Sequence, residues 1–273
     1  MKTIRDVCWL WGQNPGTHHM VDNGVDNPFN LPGENHMTPL EGLADLDIPN
    51  LCRVVFQGVP AKPYDSEMEQ LAGVREMVWS IADYGINGRV EDPDDDVREV
   101  VRQAKQYPNI TGAIMDDFFT NDYHFVKYSV EQIARYKAQL QEVGRPMKLW
   151  VVIYTRDFHL PVAPYLALCD RITMWNWHGE ALDHLEENLA KLKELGGPDK
   201  EYFAGCYAWD YGNAKPLSRD AMETQLNTYH RWLKNGEIKG IIFCSNCVAD
   251  LGIENYDLAR RWVREHGDEV IPE

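Results

Sequence analysis

Two adjacent carboxylates, Asp116 and Asp117, follow directly on an apolar run from Ile110 to Met115 and precede two phenylalanines, Phe118 and Phe119. A carboxylate beside apolar surface loses hydration, so acids at this position call for a compensating use. Paired carboxylates can divide general acid–base work. One gives a proton to a leaving oxygen while the other stabilises or attacks the centre left electron-poor. The run is bounded by Pro108 and Asn109 before it and by Thr120, Asn121 and Asp122 after it, which suits a buried strand that ends at the acids. Side chains alternate along a strand, so the two acids are expected to point in different directions and to hold different roles. The plainer alternative is a strand cap that accepts N–H bonds from the following turn.

Residues of the same chemical kind end other apolar runs. Trp11, Gln57, Asp83 with Tyr84, Tyr154 with Asp157, Asn176 with Trp177 and His178, Tyr207 with Trp209 and Asp210, and Ser245 with Asn246 all stand where a run gives way to polar sequence. Aromatic faces stack on the C–H side of a pyranose while acids and amides bind its hydroxyls, so this mixture fits a sugar. Trp11, Gln57, Tyr154, Asn176, Trp177, Tyr207, Trp209, Asp210 and Asn246 are the expected substrate-binding set, with Trp175 and Tyr211 as further candidates. Any one of these aromatics can instead be core. Asp157 and Asp210 are alternative proton donors, Asp210 first, since it is flanked by Trp209 and Tyr211 and a carboxyl set among aromatics tends to keep its proton. Asp83 and Asp250 read as loop anchors.

These residues need elements to hold them. Eight short apolar runs read as strands: Val7–Trp11, Cys52–Gln57, Met77–Ala82, Thr111–Asp116, Leu149–Tyr154, Ile172–Asn176, Tyr202–Trp209 and Gly240–Ser245. Helical periodicity falls between and after them at Pro39–Leu46, Ser66–Leu71, Val97–Gln106, Val130–Val143, Val162–Leu168, Leu182–Leu195, Arg219–Lys234 and Tyr256–Glu265. Strand–helix units repeated eight times in 273 residues predict an α/β chain folded as a single (β/α)8 TIM barrel over 1–273, with a doubly wound open sheet as the alternative. In such a barrel the strands' C-terminal ends carry the chemistry. A long loop, 12–37, follows the first strand and is expected to cover part of that face.

The segment Ile114-Met115-Asp116-Asp117-Phe118 resembles the Asp-Asp motif at the fourth strand exit of the O-GlcNAc hydrolase (hyaluronidase-like hexosaminidase) family of barrels. That resemblance implies a substrate-assisted glycosidase, in which the 2-acetamido group of the sugar is the nucleophile, Asp116 orients its nitrogen and Asp117 is the acid/base. Chitinase-like barrels place Asp-x-Asp-x-Glu after a glycine of the same strand. Counted from Gly112, those positions hold Ile114, Asp116 and Phe118 here, so only the middle acid is present.

A formal net charge of −16 disfavours nucleic acid and anionic membrane as partners, because both need a basic surface. An oligosaccharide or glycoside is the expected substrate. No G-x-G-x-x-G or phosphate loop follows a strand, and His18, His19, His36, His124, His159 and His178 lack metal-ligand spacing, so neither cofactor nor metal is expected. Cys8, Cys52, Cys169, Cys206, Cys244 and Cys247 lie mostly in apolar runs and read as reduced core thiols, which fits a soluble cytoplasmic protein unless a leader has been removed. Glycoside hydrolysis by the two acids is the leading function. A non-catalytic carbohydrate-binding barrel and a metal-dependent sugar isomerase are the alternatives.

Overall fold

The computed structural model describes residues 1–20, 24–82, 93–119 and 126–272. Asp83, Tyr84 and His124 lie outside the described residues. Eight parallel strands close a barrel: β1 (Cys8–Gly12), β2 (Asn50–Arg53), β3 (Glu76–Ile81), β4 (Ile110–Met115), β5 (Lys148–Tyr154), β6 (Arg171–Trp175), β7 (Glu201–Tyr207) and β8 (Gly240–Cys244). Each strand pairs with its neighbours in sequence, and Trp9 of β1 lies opposite both Asn50 of β2 and Ile242 of β8. That last ladder closes the sheet and rules out the open doubly wound alternative. The chain is a (β/α)8 barrel.

The helices are α1 (Pro39–Leu46), α2 (Asp65–Leu71), α3 (Pro93–Gln106), α4 (Val130–Leu140), α5 (Ala163–Leu166), α6 (Leu185–Gly196), α7 (Arg219–Lys234), α8 (Asn246–Ala249) and α9 (Glu254–His266). Capping boxes start two of them. The Thr38 side chain accepts from Glu41 N while Glu41 reaches back to Thr38, and Ser129 and Gln132 do the same for α4. Each box satisfies two backbone donors that the first turn would leave open, and a cap of this kind contributes about 1 kcal/mol.

Two strands stop two or more residues before their expected ends. β2 stops at Arg53 because the chain turns back on itself at Phe56 and Val59, with Gln57 at φ 48° and Gly58 at φ 75°. β7 stops at Tyr207, and Trp209–Asp210 pairs antiparallel with Lys215–Pro216 in a small ribbon of its own. Apolar residues continue past both ends, but the parallel ladder does not.

The barrel interior is filled in layers by the inward set of alternate residues. Trp9 of β1 meets Trp150 of β5 at 4.8 Å between ring centroids, and Trp150 meets Phe203 of β7 at 4.7 Å. One layer higher, Trp11 meets Trp175 of β6 at 5.3 Å, and Trp175 meets Tyr207 at 4.9 Å. All but the last of these pairs span strands that are not adjacent, so their side chains face the barrel axis. The Trp175 indole takes the space over Gly205, where an added Cβ would lie 2.1 Å from the ring. A glycine in β7 is therefore what lets a tryptophan lie across the axis.

Candidate active site

Counting up the same inward alternation from Gly112 and Ile114 brings Asp116 to the top of β4, level with Tyr154, Tyr207 and Cys244. Those four residues line one cleft at the C-terminal ends of the strands, together with Trp11, Gln13, His18, Phe29, Phe56, Asp117, Val152, Trp175, Trp177 and Tyr211. Its cavity volume is about 80 Å³, below the usual range of small-ligand sites.

Asp117 does not point away from the cleft as strand alternation predicts. β4 ends at Met115, and Asp117 adopts φ 42°, a left-handed conformation that carries its side chain round to the same side as Asp116. Alternation holds only while the backbone stays extended. The Tyr154 hydroxyl donates to Asp117 Oδ1 at 2.7 Å, which fixes one carboxylate oxygen. Asp116 is buried, at 6% exposure.

The walls are aromatic. Trp177 lies 5.8 Å from Tyr211 at an interplanar angle of 28° and meets Tyr154 edge-on at 5.5 Å. Burial pushes the hydroxyls of Tyr154, Tyr207 and Tyr211 well above the usual phenol range, so all three remain protonated donors at neutral pH. The Cys244 thiol is likewise pushed up by burial and stays neutral. Arg156 covers the Tyr154 and Trp177 rings at 4.6 and 5.0 Å.

Gln13, His18 and Phe29, from the chain that follows β1, form one wall. His18 Nε2 lies 2.5 Å from Gln13 Oε1 and His18 Nδ1 lies 2.9 Å from the Tyr211 hydroxyl. With the Gln13 oxygen toward the ring, Nε2 carries the hydrogen and Nδ1 accepts from Tyr211. Burial drives the His18 pKa down to about 3, so the imidazole is neutral. Phe29 meets Tyr211 at 5.0 Å and Trp177 at 5.8 Å. The segment is pinned from outside the cleft: Asp250 accepts from Asn35 Nδ2 at 2.5 Å, His36 N at 2.7 Å and Met37 N at 3.1 Å.

Of the expected residues, Asp116, Asp117, Trp11, Tyr154, Trp177 and Tyr207 come together here. Gln57, Asn176, Trp209, Asp210 and Asn246 stand elsewhere. Gln57 sits in the turn after β2. Asn176 is buried with its amide 3.5 Å from the Tyr229 hydroxyl. Trp209 donates through Nε1 to Phe29 O at 2.9 Å, holding the wall from behind. Asp210 caps the short turn after it, accepting from Asn213 N at 3.2 Å. Asn246 donates to Gln13 O at 2.9 Å and Met37 O at 2.7 Å while its Oδ1 accepts from Gln13 N. Asp157 is buried in the turn after β5, beside the cleft but not in its lining.

The sequence reading missed Gln13, His18, Phe29, Phe56, Val152 and Cys244 as lining residues. Val152 and Cys244 carried a signal, since both lie on the inward alternation at strand ends. The loop residues carried none beyond the position of their loop.

No protein-family model and no curated protein matches the sequence. Solved structures resemble it in fold. A Bacteroides thetaiotaomicron protein assigned as an α-L-fucosidase shares 10% identity over 97% of this chain and 95% of its own, with a TM-score of 0.58. A glycoside hydrolase family 18 N-acetylglucosaminidase from Paenibacillus barengoltzii shares 10% identity over 93% of this chain and 99% of its own, at 0.53. A β-mannanase from the blue mussel Mytilus edulis shares 11% over 96% of this chain and 94% of its own, at 0.53. At these identities the likeness is one of fold.

Proposed function

We propose that this barrel is a glycoside hydrolase in which Asp117 is the acid/base and Asp116 steadies the reacting centre. The observation that carries this reading is the convergence of both carboxylates of one strand exit on a single cleft walled by tryptophan and tyrosine. Neighbouring folds that are glycosidases are consistent with it and add no residue role. A pyranose stacked on Trp177 would present its hydroxyls to Tyr207, Tyr211 and Gln13, and its glycosidic oxygen toward the acids. Asp117, with one oxygen held by Tyr154, would hand a proton from its carboxyl group to the leaving group. Asp116 then stabilises the oxocarbenium-like centre.

The same pair suits a 2-acetamido sugar. The acetamido oxygen would attack the anomeric carbon as the C–O bond breaks, Asp116 would hold the acetamido N–H, and the Asp117 proton would leave with the aglycone. Water later opens the cyclic intermediate with Asp117 as base. Aryl glycosides with 2-acetamido and with 2-hydroxyl groups test both levels. Turnover of either supports the hydrolase, and preference for the acetamido series supports the substrate-assisted route. Oligosaccharide binding with no turnover across the panel would leave a carbohydrate-binding barrel instead.

A further inference from the structure

At the end of the barrel away from the cleft, α7 and α9 bring His230 and His266 together beside Glu269. The two rings are 4.5 Å apart. His230 Nε2 lies 3.0 Å from Glu269 Oε2, and His266 Nδ1 lies 2.6 Å from Glu269 Oε1. One ligand atom from each residue falls within 4.8 Å of the other two, so small torsional adjustments would place all three about 2.0–2.2 Å from a single ion. We propose that His230, His266 and Glu269 form a binding site for a divalent transition metal of the zinc type.

The donor set fits that class. Two imidazoles with one carboxylate suit zinc and its neighbours, whereas magnesium and calcium take oxygen ligands. Lys234 Nζ lies 3.1 Å from Glu269 Oε2 and can keep that oxygen while Oε1 turns to the ion, the orienting part that outer partners play at metal sites. All six cysteines are buried, so no surface thiolate competes for zinc.

The site would tie two helices to the closure of the barrel floor. The backbone carbonyl of Glu269 accepts from Ile4 N at 3.0 Å, and that of Gly267 accepts from Arg5 N at 2.8 Å. An ion here therefore links α7 and α9 to the segment leading into β1, and its effect should appear in stability whether or not the cleft is catalytic.

Equilibrium dialysis of chelator-stripped protein against Zn²⁺ tests the proposal. One ion per chain is expected, with affinity weakened at least about tenfold by His230→Gln or His266→Gln, since even disturbing an outer partner costs that much. Zinc should raise the thermal midpoint of the wild-type protein and not that of the variants. Histidine-selective NMR of the wild-type chain checks the site without any substitution, because zinc should perturb His230 and His266 alone. Substoichiometric binding, unchanged affinity in both variants, or perturbation of other histidines would overturn it.

Discussion

The hydroxyl of Tyr154, the last residue of β5, donates to Oδ1 of Asp117, two residues past the end of β4, at 2.7 Å. Adjacent strands thus fix the acid that alternation alone would have sent outward. A hydrogen bond to a charged group is worth about 1.5–3 kcal/mol. Tyr154→Phe should therefore lower kcat on an identified substrate by roughly 10–100-fold while KM changes little. Steady-state kinetics decide it: an unchanged kcat means that Asp117 is oriented by other contacts.

Asp250 anchors the chain that follows the cleft-lining Phe29 through Asn35, His36 and Met37, none of which lines the cleft. Asp250→Ala should raise KM by about tenfold or more, with a melting loss of a few degrees, the scale of two or three lost hydrogen bonds. Parallel kinetics and calorimetry separate the effects. If the barrel unfolds at room temperature, the segment is scaffold first and wall second.

Asp157 is 1% exposed, and burial raises its pKa from the ordinary 3.8 to about 6, against the opposing pull of Arg156. A raised carboxyl contributes stability below pH 3.8 and loses it as pH rises through 6, because the folded state holds the proton longer. Asp157→Asn, a mimic of the protonated acid, should then stabilise the protein by ~2 kcal/mol at pH 7.5 and by little at pH 4. Melting curves across that range test the sign. A loss of stability at pH 7.5 would mean that the ionised carboxylate is the form the fold uses.

His18 works in the opposite direction. Its folded pKa of about 3 lies below the ordinary 6.5, so its contribution is complete above pH 6.5 and is lost as pH falls toward 3. Protonation also removes the lone pair that accepts from Tyr211. At pH 5.5 the loss should be about 1 kcal/mol, and His18→Asn should flatten that part of the stability profile. An identical acid slope in the variant would place the liability on other groups.

The barrel itself was open to reading because parallel strands buried on both faces leave continuous apolar runs, and eight of them recur with helices between. Within those runs the period of two places Trp11, Asp116, Tyr154, Trp175 and Tyr207 on one side without further information. Asp117 escaped that logic because its position depends on one left-handed residue. Gln13, His18 and Phe29 escaped it because tertiary contacts from Asn246, Asp250 and Trp209 decide where their loop lies. Polar residues at strand ends proved a coarser guide: Asn246 and Asp210 have the right chemistry, but their hydrogen bonds are spent on neighbouring backbone.

The central claim is the division of labour between Asp116 and Asp117, and the measurement that tests it most directly is kcat/KM over aryl glycosides of graded leaving-group pKa. Asp117→Asn should lose on the order of a hundredfold or more on poor leaving groups while retaining much of its rate on activated ones that need little protonation. Asp116→Asn should depress the whole series alike. Near-wild-type turnover by both variants on a substrate the protein cleaves would contradict the account, leaving the pair as a strand cap and moving the chemistry elsewhere in the cleft.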